Sequence, residues 1–226
     1  MSTDLVRRAS AELIGSALLA AVVVGSGIAA QRLSPGDIGL QLLENAFATA
    51  LALPVLILMF AAISGSHFNP LVTLADVVLG GRRGRDAAAY LPAQIIGCIG
   101  GALLADAMFG EALVSISTTD RLSAGTLLAE VVATAGLILT IFLLGRTGHH
   151  GVVPWAVGAY IGAAYFFTSS TSFANPAITI GRMFSDSFAG IAPSSVPGFV
   201  LAQLAGAALA LGLVLWFAPR RLPAHS

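Results

Sequence analysis

The sequence predicts an all-α membrane protein of six spanning helices and two half-membrane helices, arranged as an inverted repeat. Three observations predict it. Hydrophobic residues make up 57% of the 226-residue chain and charged residues only 10%, where a soluble domain averages about 25% charged. Six apolar segments have spanning or near-spanning length, against the ~20 residues that a bilayer core requires. Two shorter apolar stretches each open on an Asn-Pro pair, Asn69-Pro70 and Asn175-Pro176, at matching places in the two halves.

The six segments are 9–30, 38–63, 87–109, 122–144, 152–168 and 196–218. The first follows Arg7 and Arg8 and has the outline of a signal peptide. It is nevertheless long enough to span, and Glu12 inside it is a poor residue for a signal's apolar core, so it is read as a retained first span. The stretches after Asn69 and Asn175 are each about ten residues long, too short to span and suited to re-entrant segments. An even number of spans puts both termini on one side. That side carries Arg7, Arg8, Arg82, Arg83, Arg85, Arg146, Arg220 and Arg221, the other only Arg32, Arg121 and Arg182, so both termini are expected in the cytoplasm. All eleven basic residues are Arg, and the formal net charge is zero, which leaves nothing to recruit nucleic acid. Cys98 is the single cysteine, so no intrachain disulfide can form, and its apolar surroundings assign it to packing.

The chain reads as one domain over residues 1–226, and it repeats itself over approximately 9–110 and 122–218. Ala11-Glu12-Leu13 near the start of the first span is matched by Ala129-Glu130-Val131 in the fourth. Asn69-Pro70-Leu71 after the second span is matched by Asn175-Pro176-Ala177 after the fifth, and Ala93-Gln94 in the third by Ala202-Gln203 in the sixth. Three spans per half, an odd number, invert one half relative to the other. Inverted repeats are typical of transport proteins whose site lies near the midplane.

Each Asn-Pro pair can open a helix. Pro suits the first helical position, where its missing N–H would be unpaired anyway. Asn is a favoured N-cap, and its amide NH₂ stays available to donate toward a solute. Irregular backbone at membrane depth is tolerated only beside protein or a water-filled cavity. Two inverted half-helices therefore meet N-terminus to N-terminus, each end carrying about half a positive charge. That junction repels cations and presents two amide donors.

The segment Ser64-Gly65-Ser66-His67-Phe68-Asn69-Pro70-Leu71-Val72-Thr73 resembles the first signature of the aquaporin, or major intrinsic protein, family, and Ser172-Phe173-Ala174-Asn175-Pro176-Ala177 resembles the second. The Ala-Glu and Ala-Gln pairs match as well, so the resemblance covers nearly the whole chain; Leu71 departs from the usual Ala. It implies a passive channel for small neutral solutes, built as a homotetramer with one pore per subunit, in the lipid bilayer and without cofactor or metal. In that resemblance Glu12 and Glu130 hold the non-helical backbone of the re-entrant loops, and His67 braces a loop beside the pore.

By the same resemblance four positions, counted from the two Asn residues, form the selectivity filter: Thr49, Ala163, Ser172 and Ile178. Water-selective members place an aromatic, a His and an Arg there, and glycerol-conducting members keep the Arg with aromatic rings. This chain has none of these at the four places, so the filter is expected to be wide and to lack the Arg that bars cations and protons. Arg182, four residues beyond Ile178, shares its helical face about 6 Å further outward. It is read either as a displaced charge in the outer vestibule or as an interfacial Arg snorkelling to water. Ile178, Thr49 and the stretch Phe188-Ala189-Gly190-Ile191-Ala192-Pro193 resemble a bacterial, arsenic-resistance-associated branch of the family. That implies the bacterial inner membrane, and arsenous acid, neutral at pH 7 and polyol-like, beside water and glycerol-like polyols.

Other features take structural readings. Gly97 and Gly101, and Gly158 and Gly162, have the spacing of close helix packing. His149 and His150 fall in a loop on the side of the termini and are expected to be solvated. Glu44 and Asp106 lie near the opposite ends of their spans. A coupled secondary transporter also uses inverted repeats and broken helices, but needs a titratable residue in the substrate path, and Glu12 and Glu130 are assigned to the loops. No nucleophile–base or metal constellation points to an enzyme.

Overall fold

The computed structural model describes residues 2–218; Arg220 and Arg221, used above for orientation, lie outside them. Regular structure among the described residues is entirely helical. Helix α1 spans Thr3–Leu33, capped by the Ser2 side chain, which accepts from the Leu5 N–H. It begins ahead of residue 9 because Asp4 in its first turn pairs with Arg7 and Arg8, making the polar prelude helical too. Helix α2 spans Ile38–Phe60 and stops short of residue 63, as the chain turns inward toward Gly65, whose φ of 94° is left-handed. Then follow α3 (Pro70–Val78), α4 (Gly84–Phe109), α5 (Ala124–Arg146), α6 (Val153–Phe167), α7 (Pro176–Gly181) with a 3₁₀ turn at Arg182–Phe184, and α8 (Val196–Phe217).

Helices α1, α2, α4, α5 and α8 are long and apolar enough to cross a membrane. Helix α6 has 15 residues, roughly 22 Å at 1.5 Å per residue, short of a ~30 Å hydrocarbon core. The predicted segment 152–168 is thus a short span. It ends where Thr168 becomes extended and leads the chain back into the bundle.

Small residues set the helix pairs. Helix α1 packs along α4, and α5 along α8. A methyl group on Gly97 or Gly101 of α4 would collide with the carbonyls of Leu13 and Ala17 on α1; one on Gly206 of α8 would collide with the Val131 carbonyl on α5. Gly158 of α6 is pressed against Pro54 and the Ala50 carbonyl of α2. Cys98 is fully buried, its Sγ 3.7 Å from the Ser16 carbonyl, and acts as packing. Without a hydrophobic drive between helices in lipid, this backbone-to-backbone approach supplies the association. The outer faces remain apolar, as along α2 at Leu43, Phe47, Leu51 and Leu58.

Gly101→Leu is expected to force α1 from α4 and lower stability by about 1–3 kcal/mol. Gly100→Leu, at an exposed position with nothing within 4 Å of its added Cβ, is expected to change little. Thermal unfolding of the two variants in detergent, followed by circular dichroism, compares them directly.

Candidate functional site: a channel past two Asn-Pro turns

Asn69 and Asn175 stand at the N-caps of α3 and α7 with Pro at the first helical position of each. Asn69 Oδ1 accepts from the Leu71 N–H at 2.9 Å; Asn175 Oδ1 accepts from the N–H groups of Ala177 at 2.9 Å and Ile178 at 3.3 Å. Each Asn then reaches across to the other loop. Asn69 Nδ2 donates to the Ala174 carbonyl and Asn175 Nδ2 to the Phe68 carbonyl, both at 2.8 Å. An amide NH₂ has two hydrogens, so one ties the loops together and the second remains for the cavity that both residues line. Pro70, Leu71, Pro176 and Ala177 are buried behind them.

The loops leading into these caps are strained in the same way. Ser66 and Phe68, three and one residues before Asn69, have φ of 54° and 48°; Ser172 and Ala174, at the same offsets from Asn175, have 54° and 47°. Non-glycine residues rarely adopt this region and do so where surroundings impose it. Two fully buried carboxylates impose it here. Glu12 Oε1 accepts from the His67 N–H at 3.0 Å and the Ser64 hydroxyl at 2.5 Å, and Oε2 from the Phe68 N–H at 2.7 Å. Glu130 accepts from the N–H groups of Phe173 and Ala174, both at 2.9 Å. Gln94 and Gln203 complete the scheme. Gln94 Nε2 donates to Glu12 at 2.8 Å and to Thr73 Oγ1 at 2.9 Å, and Gln203 Nε2 to Glu130 at 2.6 Å and to Thr179 Oγ1 at 2.9 Å. The sequence flagged both glutamines as repeat markers without a role; the role is to orient the carboxylate and lock it to its half-helix.

A narrow cavity of about 80 Å³ runs past these turns, lined at one end by Ile57, His67 and Ile141 and also by Arg182. Thr49, Ser172 and Ile178 line it. Ala163 does not: it is exposed on the outer face of α6. Residues four apart share a helix face while 163 is turned away, and the face of α6 toward the cavity carries Ile161 and Tyr165. Counting back from Asn175 misses the register because residues 168–175 run as irregular chain, whose length spacing alone does not convert into helix turns. Tyr165 adds an aromatic residue to the cavity lining, its hydroxyl 3.2 Å from Thr49 Oγ1, which also donates to the Asn45 carbonyl at 2.9 Å.

Arg182 also lines the cavity, and it is not an interfacial side chain, for it is only 2% exposed. It lies in the 3₁₀ turn after α7, with Cζ 3.5 Å from the centroid of the Phe173 ring, and its Nε donates to the Ala189 carbonyl. Sequence reading missed the partner of this arrangement. Arg121 lies 5.4 Å from the same ring and donates from Nε to the Gly190 carbonyl at 2.6 Å and from Nη2 to the Phe188 carbonyl at 2.8 Å. Burial pushes its guanidinium below the usual arginine range.

A model of the major intrinsic protein family, described as "Major intrinsic protein", matches residues 1–171. The chain is 47% identical over 213 residues to the aquaglyceroporin AqpS of Rhizobium meliloti (strain 1021), covering 94% of this chain and 91% of that protein. The chain belongs to the major intrinsic protein family. It is 32% identical to aquaporin TIP1-2 of Zea mays over 188 residues, covering 79% of this chain and 74% of the relative. Its fold matches that of the aquaglyceroporin from Plasmodium falciparum at a TM-score of 0.66 with 18% identity, over 95% of this chain and 96% of the other. The chain is accordingly an integral membrane channel and not an enzyme.

Toward the termini the channel of this family member opens into a vestibule of about 740 Å³. His67 stands at the join, 3.0 Å from Thr73 Oγ1 through Nδ1 and 3.3 Å from Asp76 through Nε2. Arg82 pairs with the same Asp76 at 3.4 Å and donates to the Ser64 carbonyl. His67 thus belongs to a loop brace, and no cluster of metal-binding side chains occurs among the described residues. His150, expected in a merely solvated loop, is exposed but forms part of the vestibule wall, whereas His149 bonds Thr147. Glu44, which the sequence leaves open between a subunit interface and the outer vestibule, accepts from the Ser34 hydroxyl at 2.7 Å and ties the α1–α2 turn; Asp106 accepts from the Ser185 hydroxyl at 2.7 Å.

Two outcomes follow for solute flux into proteoliposomes. Asn175→Asp removes the donor to the Phe68 carbonyl and sets a carboxylate against it. An unmatched buried polar pair costs about 1–3 kcal/mol, so a lower melting temperature and reduced flux are expected, with Asn69→Asp behaving alike. Tyr165→Ala is expected to raise the ratio of glycerol to water flux while Ala163→Phe leaves it unchanged; the reverse result would restore Ala163 to the pore.

Proposed function

We propose that this channel passes water and small uncharged polyhydroxy solutes, glycerol-like polyols and trivalent metalloid hydroxides such as arsenous acid among them. The observation that carries this reading is the make-up of the constriction. The cavity lining combines the hydroxyl-bearing Thr49, Tyr165 and Ser172 with the apolar Ile178. A compact solute with hydroxyl groups on a less polar body fits such a ring in a way a hydrated ion does not. The relative that is 47% identical to this chain is an aquaglyceroporin, which supports the same class.

Electrostatics adds to it. Among the described residues no carboxylate lines the narrow cavity. The N-terminal ends of α3 and α7 and the guanidinium of Arg182 all present positive potential to the lumen. Cations are therefore repelled even though Ile178 stands where many family members keep an Arg, and Arg182 takes that duty one turn further out. Glu12 and Glu130 are engaged with loop N–H groups, and His67 with Thr73 and Asp76, which favours passive flux over a coupled transporter. In this reading four copies assemble in a bacterial inner membrane, each with its own pore and both termini in the cytoplasm, in keeping with the Arg distribution.

Ile178→Arg is expected to cut flux of glycerol and arsenous acid more than that of water, because Arg fills more of the ring and adds a rigid donor fork. Stopped-flow light scattering on proteoliposomes measures the ratio. Ile178→Arg with Arg182→Ala removes repulsion between neighbouring guanidiniums and is expected to deepen the loss. An unchanged ratio in both would remove Ile178 from the constriction. Uphill accumulation driven by a proton or sodium gradient would overturn the channel as passive.

A further inference from the structure

Arg182 is provided with far fewer partners than its burial demands. At 2% exposure its only hydrogen bond among the described residues is from Nε to the Ala189 carbonyl. Both Nη groups are without a protein acceptor, and no acid pairs with it among the described residues. The oxygens of the buried Glu130 are already engaged, accepting from Phe173, Ala174 and Gln203. Arg121, on the same Phe173 ring, adds a second guanidinium, itself bonded only to neutral carbonyls. Ser172 Oγ, buried and lining the same cavity, has no partner either. A desolvated guanidinium normally pairs with an anion, because burial in low dielectric penalises an uncompensated charge.

We infer that the outer end of the channel is a binding site for a small oxyanion with a planar carboxylate-like face, held by the Arg182 Nη groups and the Ser172 hydroxyl. The two free Nη groups form the fork that takes two oxygens of a carboxylate or bicarbonate at once. Arg121, 5.4 Å from the Phe173 ring centroid, adds long-range attraction. The anion sits in the path of neutral solutes, so its occupancy obstructs their passage: the channel slows when such anions are abundant. The neighbouring acids are directed elsewhere, Asp106 to Ser185, Asp186 to Thr118 and Asp120 to Ser195 and the Leu122 N–H, so none of them fills the site.

Sodium formate is the probe, compared with sodium chloride at equal ionic strength. The first readout is the melting temperature of the purified protein in detergent, which rises if the folded state binds formate and does not depend on which solute permeates. The second is glycerol flux in proteoliposomes equilibrated with formate on both sides. A saturable rise in melting temperature with formate beyond that with chloride, and a severalfold saturable fall in glycerol flux over the same concentrations, are expected. Arg182→Gln should abolish both responses relative to its own formate-free baseline. Arg182→Lys should keep a weakened response, and Ser172→Ala should shift half-saturation to higher formate. No effect of formate on the wild-type protein in either readout overturns the inference. So does a response of equal size in Arg182→Gln, which would put the anion elsewhere.

Discussion

Two lengths of chain without helical hydrogen bonding enter the interior of this bundle, and their backbone N–H groups must be satisfied where water is scarce. Glu12 and Glu130 satisfy them. An unpaired N–H in such a setting costs several kcal/mol, and each carboxylate takes two consecutive ones just before the Asn cap. The left-handed conformations at Ser66, Phe68, Ser172 and Ala174 aim those N–H groups together. Without the acids the loops would have no reason to hold that strain, and the half-helices would have no fixed start.

Everything on the channel wall follows from that anchoring. Once the residues before each Asn are pinned, the carbonyls of Phe68 and Ala174 face the opposite loop, and the two Asn side chains cross to them at equal distances. The crossing holds the halves in register and leaves one hydrogen of each amide free for the cavity that both residues line. Close helix pairs at Gly97, Gly101 and Gly206 bring Gln94 and Gln203 within reach of the buried acids. Packing of small residues and polar bracing of the loops are therefore one design, because a helix pair set further apart could not close the Gln–Glu–Thr chain.

The outer half of the channel departs from the pattern its motifs imply. An aromatic hydroxyl enters from Tyr165, and the guanidinium is set back to Arg182 against Phe173. Both changes trace to chain geometry. Helix α6 is short and is followed by irregular residues, which shifts which of its side chains face inward. Helix α7 gives way to a 3₁₀ turn at Arg182, which tucks that side chain beneath the 185–193 segment instead of releasing it to the surface. The result is a positive charge without a counterion among the described residues, on the wall of a channel.

Much of this was legible in the residues alone. Composition and apolar run length determine that the chain lives in a membrane, because charged side chains are too costly there. The Asn-Pro pairs determine where the half-helices begin, because Asn caps and Pro starts a helix by local chemistry that needs no distant partner. Glu12 and Glu130 announce themselves as acids inside apolar runs. What the tertiary structure decided is whatever depends on rotation and distance between elements. Spacing from Asn175 pointed to Ala163, but the helix face that meets the lumen depends on how the irregular residues 168–175 take up the chain, and it presents Tyr165. One-letter order left Arg182 equally fit for water or for the pore; the Phe173 ring and the Ala189 carbonyl, brought there by folding, bury it at the pore. Local propensity is written residue by residue, whereas the facing of a side chain across a bundle is fixed only when the helices have packed.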